Sequence, residues 1–148
     1  MRHRIRAEID IEAPPAEVWR HLVDLAAYPD WNPFIPEASG VPEVGQRLSL
    51  RLRPPGSRGV TIHPRVTAVT TPSELEWLGH LVVPGLFDGR HRFELFLTPS
   101  GTHLVQSETF GGLFVRLLRR SLDAGTLAGF EAMNAALRRR AREGHPAT

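Results

Sequence analysis

Polar and apolar positions alternate from the start of the chain. Ile5, Ala7, Ile9 and Ile11 interleave with Arg4, Arg6, Glu8 and Asp10. A period of two puts the two sets on opposite faces of one strand, so residues 4–12 are expected to form a half-buried strand. Pro14 and Pro15 then suit the first turn of a helix. Val18, Trp19, Leu22, Val23 and Leu25 recur at helical spacing, which predicts a short helix over residues 15–24. The next stretch, Tyr28-Pro29-Asp30-Trp31-Asn32-Pro33-Phe34-Ile35-Pro36, carries three prolines and reads as a tight aromatic connector.

Strand patterns dominate the middle of the chain. Leu48, Leu50 and Leu52 alternate with Ser49, Arg51 and Arg53, and Pro54-Pro55-Gly56-Ser57 signals a turn. Residues 60–70, 75–81, 87–97 and 102–110 read as further strands, the last two joined by Thr98-Pro99-Ser100-Gly101. From residue 113 to 142 the period becomes helical. Phe114, Leu117, Leu118, Leu122, Phe130, Met133 and Leu137 form its apolar stripe, and Gly144-His145-Pro146 ends it. Short turns between consecutive strands favour an antiparallel sheet. A sheet needs one face covered, and the long helix is the only element large enough to do it. The expected fold is α+β: a curved antiparallel sheet of six to seven strands around a long C-terminal helix. No linker or repeat divides residues 1–148, so one domain is expected.

The last hairpin permits a register. A four-residue loop at 98–101 sets Leu97 opposite Thr102, Leu95 opposite Leu104, Phe93 opposite Gln106 and His91 opposite Glu108, all on one face. Arg92, Glu94, His103, Ser107 and Thr109 then face solvent. A slip of one residue would exchange the two faces. On the helix, Gly125 and Gly129 lie one turn apart beside Leu122, Phe130 and Met133. Each costs about 1 kcal/mol relative to alanine in a helix interior, so they mark either close packing or space left for a ligand.

The chain has 148 residues, no cysteine and a net charge of +2. This length hides roughly 70% of the unfolded surface, enough for a core without staples. The lack of cysteine excludes disulfides, thiolate ligands and a cysteine nucleophile. Every basic residue is an arginine, and this raises the pI to about 10.3. A repertoire without lysine reflects codon bias more simply than nucleic-acid binding, so no nucleic-acid partner is expected. The longest apolar runs fall far short of the roughly 20 residues that cross a bilayer, and residues 1–10 lack the apolar stretch of a secretory signal. A cytoplasmic location without stable membrane insertion is expected; a homodimer remains open. The seven histidines form no HxxxH or HExxH pair, so neither metal nor cofactor is expected. GxxxxGK[ST], GxGxxG and GxSxG are absent too, which argues against nucleotide-dependent enzymes and serine hydrolases.

Four stretches carry a resemblance: IDIEAPPAEVWRHLVDLAAYPDWNPFI, ELEWLGHLVVPGLFDGRHRFEL, GTHLVQSETFGGLF and GFEAMNAALRRRARE. Together with the element order they resemble the START-related helix-grip superfamily (SRPBCC), in its polyketide cyclase/dehydrase and lipid-transport-like branch, over about residues 3–143. The resemblance implies a cavity between the sheet and the long helix. It implies no transferable catalytic set, because members include lipid and hormone binders, carriers and aromatase/cyclases.

His91 and Glu108 are the sharpest candidate chemistry. A carboxylate beside an imidazole can orient it for acid–base work, such as enolising a ketone or dehydrating an aldol adduct. Alternatively they are a cross-strand polar pair at a cavity rim. Trp31, Asn32 and Phe34 are expected near the entrance, Trp31 to stack on a ring and Asn32 to bond a carbonyl, or else to pack the hinge. Trp77, Phe93, Gln106 and Phe110 are expected to line the cavity from the sheet, with Leu122, Gly125, Gly129, Phe130 and Met133 on the helix side. Arg65 is either exposed or, at a bulge, a carboxylate anchor. Arg138, Arg139, Arg140 and Arg142 are either a solvated helix end or a contact for anionic headgroups. Three functions follow: a binder of a small hydrophobic molecule (lipid, isoprenoid or polyketide-like aromatic), a cyclase/dehydratase using His91 and Glu108, or a non-catalytic interaction module.

Overall fold

The computed structural model describes residues 2–80 and 84–144, without the side chains of residues 118–122. Leu81, His145, Pro146 and the side chains of Leu118 and Leu122 lie outside the described residues. The alternating N-terminal segment is strand β1, His3–Ile11. With φ preset by Pro15 at its first position, helix α1, Pro15–Leu22, buries Val18, Trp19, His21 and Leu22. A 3-10 turn, Leu25–Asp30, follows where a second helix cannot form. Its Tyr28 hydroxyl donates to the Leu22 carbonyl at 2.5 Å, and burial pushes that phenol's pKa up.

Among the described residues, eight strands make two sheets. β2 (Glu37–Ser39), β3 (Ser49–Leu52) and β4 (Val60–Ile62) form a small antiparallel sheet. The main antiparallel sheet adds β5 (Arg65–Thr70), β6 (Glu74–His80), β7 (Asp88–Thr98) and β8 (Gly101–Gly111), in the order β1-β8-β7-β6-β5. The sheets meet where Leu48 N donates to Pro64 O at 2.8 Å and Val66 N donates to Gln46 O at 2.9 Å. The expected single sheet of six to seven strands is thus corrected to two sheets. Pro64 offers no N–H to a ladder, so the 60–70 segment breaks beside it. Glu37–Ser39 is too short to display a period. Arg65 is exposed, and the bulge falls after it, between Val66 and Ala68.

β7 and β8 pair in the expected register: Leu97↔Thr102, Leu95↔Leu104, Phe93↔Gln106 and His91↔Glu108. Their inner face bears apolar side chains and the site described below. The outer face carries ion pairs, among them Arg92–Glu74 and Arg90–Glu76. Ser107 departs from the expected exposed face, being 3% exposed. It lies in register between Arg6 of β1 and Arg92 of β7.

Helix α2, Val115–Gly144, packs against β1, α1 and β8. Phe130, Met133, Leu137 and Ala141 recur at three- and four-residue spacing, and all are fully buried. Its first turns differ from the expected stripe. Phe114 and Leu117 are 44% and 82% exposed, and Val115 is buried in their place. Arg138 donates to Glu12 at 2.8 Å and His3 pairs with Asp123, so both halves of α2 are tied to the N-terminal segment. Among the described residues no helix is long and apolar enough to cross a membrane.

This packing has two measurable consequences. A Cβ at Gly129 would run into the ring of Phe34. Gly129→Ala gains about 1 kcal/mol of helix propensity but overpacks a buried ring at about 1–3 kcal/mol. Urea denaturation should show a net loss of roughly 1 kcal/mol. His103 stands between Glu8, 3.0 Å from Nε2, and Asp10, 2.7 Å from Nδ1. The hydrogen bond to Glu8, then that to Asp10, raises its pKa above the ordinary 6.5. A raised imidazole pKa stabilises the fold fully below the ordinary value, and this is lost as pH rises through the raised one. His103→Gln should therefore lower Tm at about pH 5.5 and leave it unchanged at about pH 9.

Candidate functional site

A cavity of about 180 Å3 opens on the inner face of the main sheet. Its sheet wall is Trp77 and Gly79 of β6, Gly89 and His91 of β7, and Glu108 and Phe110 of β8. Leu52, Val60 and Ile62 close it from the small sheet, with Phe34 and, on α2, Thr126. The register explains the sheet wall: Trp77 lies opposite His91, and His91 opposite Glu108, so three neighbouring strands aim these side chains at one spot.

His91 is the centre of that wall. Its ring stacks on Trp77 at 5.0 Å and 17°, and Phe130 meets it edge-on at 5.0 Å. Both ring nitrogens are engaged. Nδ1 lies 2.9 Å from Glu108 Oε1, and Nε2 lies 2.9 Å from Gln106 Oε1. Gln106 Nε2 donates to Asn134 Oδ1 at 2.7 Å. His91, Gln106 and Asn134 are buried. Glu108 is the member of this chain with its side chain partly open, at 15% exposure. Its second oxygen, Oε2, lies over Gly89, where any Cβ would collide with it. Glycine at position 89 is what leaves room for the carboxylate at the cavity wall.

At the rim, His80 Nδ1 lies 2.6 Å from Asp88 Oδ1, and Gly85 N donates to the same carboxylate at 3.1 Å. The hydrogen bond with His80 holds the Asp88 pKa below the usual carboxylate value. This cluster anchors one end of the β6–β7 connection beside the cavity.

The expected residues divide between wall and support. His91, Glu108, Phe34, Trp77 and Phe110 line the cavity. Phe93, Gln106, Phe130 and Met133 lie beneath it, each fully buried. Gly129 is spent on close packing against Phe34, and Gly125 faces Pro54. The side chain of Leu122 is outside the described residues. Asn32 does not reach the cavity; its Oδ1 accepts from Phe34 N at 3.0 Å and Ile35 N at 2.8 Å. It folds the connector back on itself and so sets Phe34 in the wall. Trp31 stands on the far side of α2's last turns, edge-on to Tyr28 and lining a separate polar hollow with Arg139 and Arg140. The cavity therefore lies at the His91 end of β7, under the small sheet.

Sequence reasoning missed Leu52, Val60, Ile62, Phe87, Gly89 and Thr126. The alternation at Leu48, Leu50 and Leu52 did mark an inward face. The arrival of the small sheet over the cavity has no local signal.

The fold is shared with solved structures. The Zhui aromatase/cyclase of Streptomyces sp. R1128 matches with a TM-score of 0.77 at 20% identity, over 99% of this chain and 98% of that one. A Mesorhizobium loti protein matches at 0.75 and 23% identity, over 95% and 98%. A Thermus thermophilus protein matches at 0.76 and 19%, over 97% and 99%. At these identities the likeness shows the fold alone. The comparison with curated proteins found no sequence match. The profile of one family, described as polyketide cyclase / dehydrase and lipid transport, matches residues 2–142. With that match across nearly its whole length, the chain belongs to the polyketide cyclase / dehydrase and lipid transport family.

Proposed function

We propose that this protein binds a small, mostly apolar ring compound bearing a hydroxyl or carbonyl, held in the cavity with that group on Glu108. The observation that carries this reading is a carboxylate oxygen at the wall of a mostly apolar cavity, whose described lining also includes His80 and Thr126. Apolar walls supply affinity by removing ligand surface from water, at roughly 25 cal/mol per Å2. One placed polar group then fixes orientation. The volume supports a ligand of one or two rings: an engineered apolar cavity of about 150 Å3 holds benzene. Membership in the family and the fold shared with an aromatase/cyclase both point toward polyketide-like aromatics.

A second reading, a cyclase or dehydratase, is favoured by one observation. His91 and Glu108 share a hydrogen bond at the cavity wall, so the pair can take and return a proton. Glu108 would take the α-proton of a bound ketone while the C–H electron pair moves into the enolate, and would then return that proton to the enolate oxygen.

Both readings are testable with small probes. 2-Naphthol should bind more tightly than naphthalene, followed through the fluorescence of Trp77. Glu108→Gln exchanges a charge-assisted bond for a neutral one and should weaken 2-naphthol roughly tenfold, leaving naphthalene unchanged. Gly89→Ala, which displaces the carboxylate, should do the same without loss of fold by circular dichroism. Equal affinity for the two probes in every variant would remove Glu108 from the site. For the enzymatic reading, the wild-type protein should accelerate deuterium exchange at the α-carbon of benzoylacetone, and Glu108→Gln should abolish the acceleration. A rate equal in both would exclude Glu108 as the base.

A further inference from the structure

The polar chain behind the cavity has a direction. Gln106 Nε2 donates to Asn134 Oδ1 at 2.7 Å and lies 3.5 Å from the backbone oxygen of Phe130. A backbone carbonyl only accepts, so this end of the amide is its NH2 group. The other end, Oε1, faces His91 Nε2 at 2.9 Å and only accepts. Nε2 must therefore carry a hydrogen. His91 is then either the imidazole protonated at Nε2 or the imidazolium. In the first state Glu108 donates its carboxyl hydrogen to Nδ1; in the second Nδ1 donates to the carboxylate. The two states differ only in the position of one proton along the 2.9 Å bond between Nδ1 and Oε1.

Burial reinforces this. Gln106 is fully buried and Asn134 is 2% exposed, so water does not compete for these bonds. Trp77 covers one face of the His91 ring and Phe130 meets it edge-on. With both nitrogens occupied, the imidazole offers neither of them to a ligand. Glu108 offers the oxygen over Gly89.

We infer that Gln106 and Asn134 are positioning residues that hold His91 with a proton on Nε2, so that the one exchangeable proton of the pair lies between Nδ1 and Glu108 and a ligand meets the carboxylate instead of the imidazole. The class of ligand follows: a phenol, an enol or an enolisable ketone, whose hydroxyl or α-proton can pass to or from a carboxylate. The assignment of the proton stands on the protein alone; the ligand class rests on the binding reading above.

The experiment is a long-range 1H–15N correlation spectrum of histidine-labelled protein at neutral pH, without ligand. Wild type should show a directly bonded proton on His91 Nε2. Gln106→Met removes the acceptor, so the Nε2 proton should be lost and Nδ1 should carry the proton toward Glu108. Asn134→Leu frees the Gln106 amide and should give partial loss. Asn134→Asp still accepts from Gln106 and should restore the wild-type pattern. A purely structural role for Gln106 would leave the tautomer unchanged in a folded variant. An unprotonated Nε2 in wild type, or full retention of its proton in both Gln106→Met and Asn134→Leu, would overturn the inference. Should Gln106→Met fail to fold, the two Asn134 variants decide it. Adding 2-naphthol separates the readings. Binding that shifts the 13C carboxyl signal of Glu108 and keeps the Nε2 proton supports the ligand class. Binding that strips that proton overturns it. Failure of 2-naphthol to bind removes the ligand reading and leaves the proton assignment standing.

Discussion

The long antiparallel pairing of β7 with β8 sets the geometry on which the site depends. Each of its eleven residue pairs is in register without a bulge, from Asp88↔Gly111 to Thr98↔Gly101. Strict alternation then commits every second side chain to one face. His91, Gln106 and Glu108 fall on the inner face, and Arg90, Arg92, His103 and Thr109 on the outer. A displacement of one residue would put arginines into the core and the histidine into solvent, so burial on one side enforces the register that creates the site.

A polar chain of Asn134, Gln106, His91 and Glu108 crosses an otherwise apolar interior. Removing a partner from such a chain leaves a buried polar group unsatisfied, at about 1–3 kcal/mol; at its far end Asn134 Nδ2 is already buried without one. It links α2 to two strands of the sheet and ends at the cavity. Gly89 belongs to the same arrangement from the other side, since only a residue without a Cβ leaves the carboxylate its place. Preorganisation here comes from the packing of Trp77 and Phe130 around the imidazole, which removes water that would compete for its hydrogen bonds.

The cavity is built by elements far apart in sequence. Phe34 is seated by the Asn32 turn and by the absence of a side chain at Gly129. The small sheet comes over the opening because Pro64 interrupts a strand and the chain changes partners there. At the cavity wall the Glu108 carboxylate is backed by a buried relay.

The local pattern of residues was enough to read β1, α1, the terminal helix and the β7–β8 hairpin with its register. These follow from a period of two or 3.6 and from proline and glycine turns, which are properties of neighbouring residues. It was enough to bring His91 and Glu108 together and to set Gln106 and Phe93 on the same face. The order of those elements carried the fold class, and four stretches together with that order carried the family resemblance over about residues 3–143. Tertiary structure decided the rest. Which strands form a second sheet, where α2 lies on the concave face, and hence which end of β7 borders a cavity depend on contacts between segments as much as 126 residues apart. Trp31 and Asn32 share a motif with Phe34, yet only Phe34 reaches the wall, because the turn made by Asn32 points the three side chains in different directions. That Gln106 fixes the proton on His91 required Asn134 and the Phe130 carbonyl, which helix α2 supplies from across the core and no local period can announce.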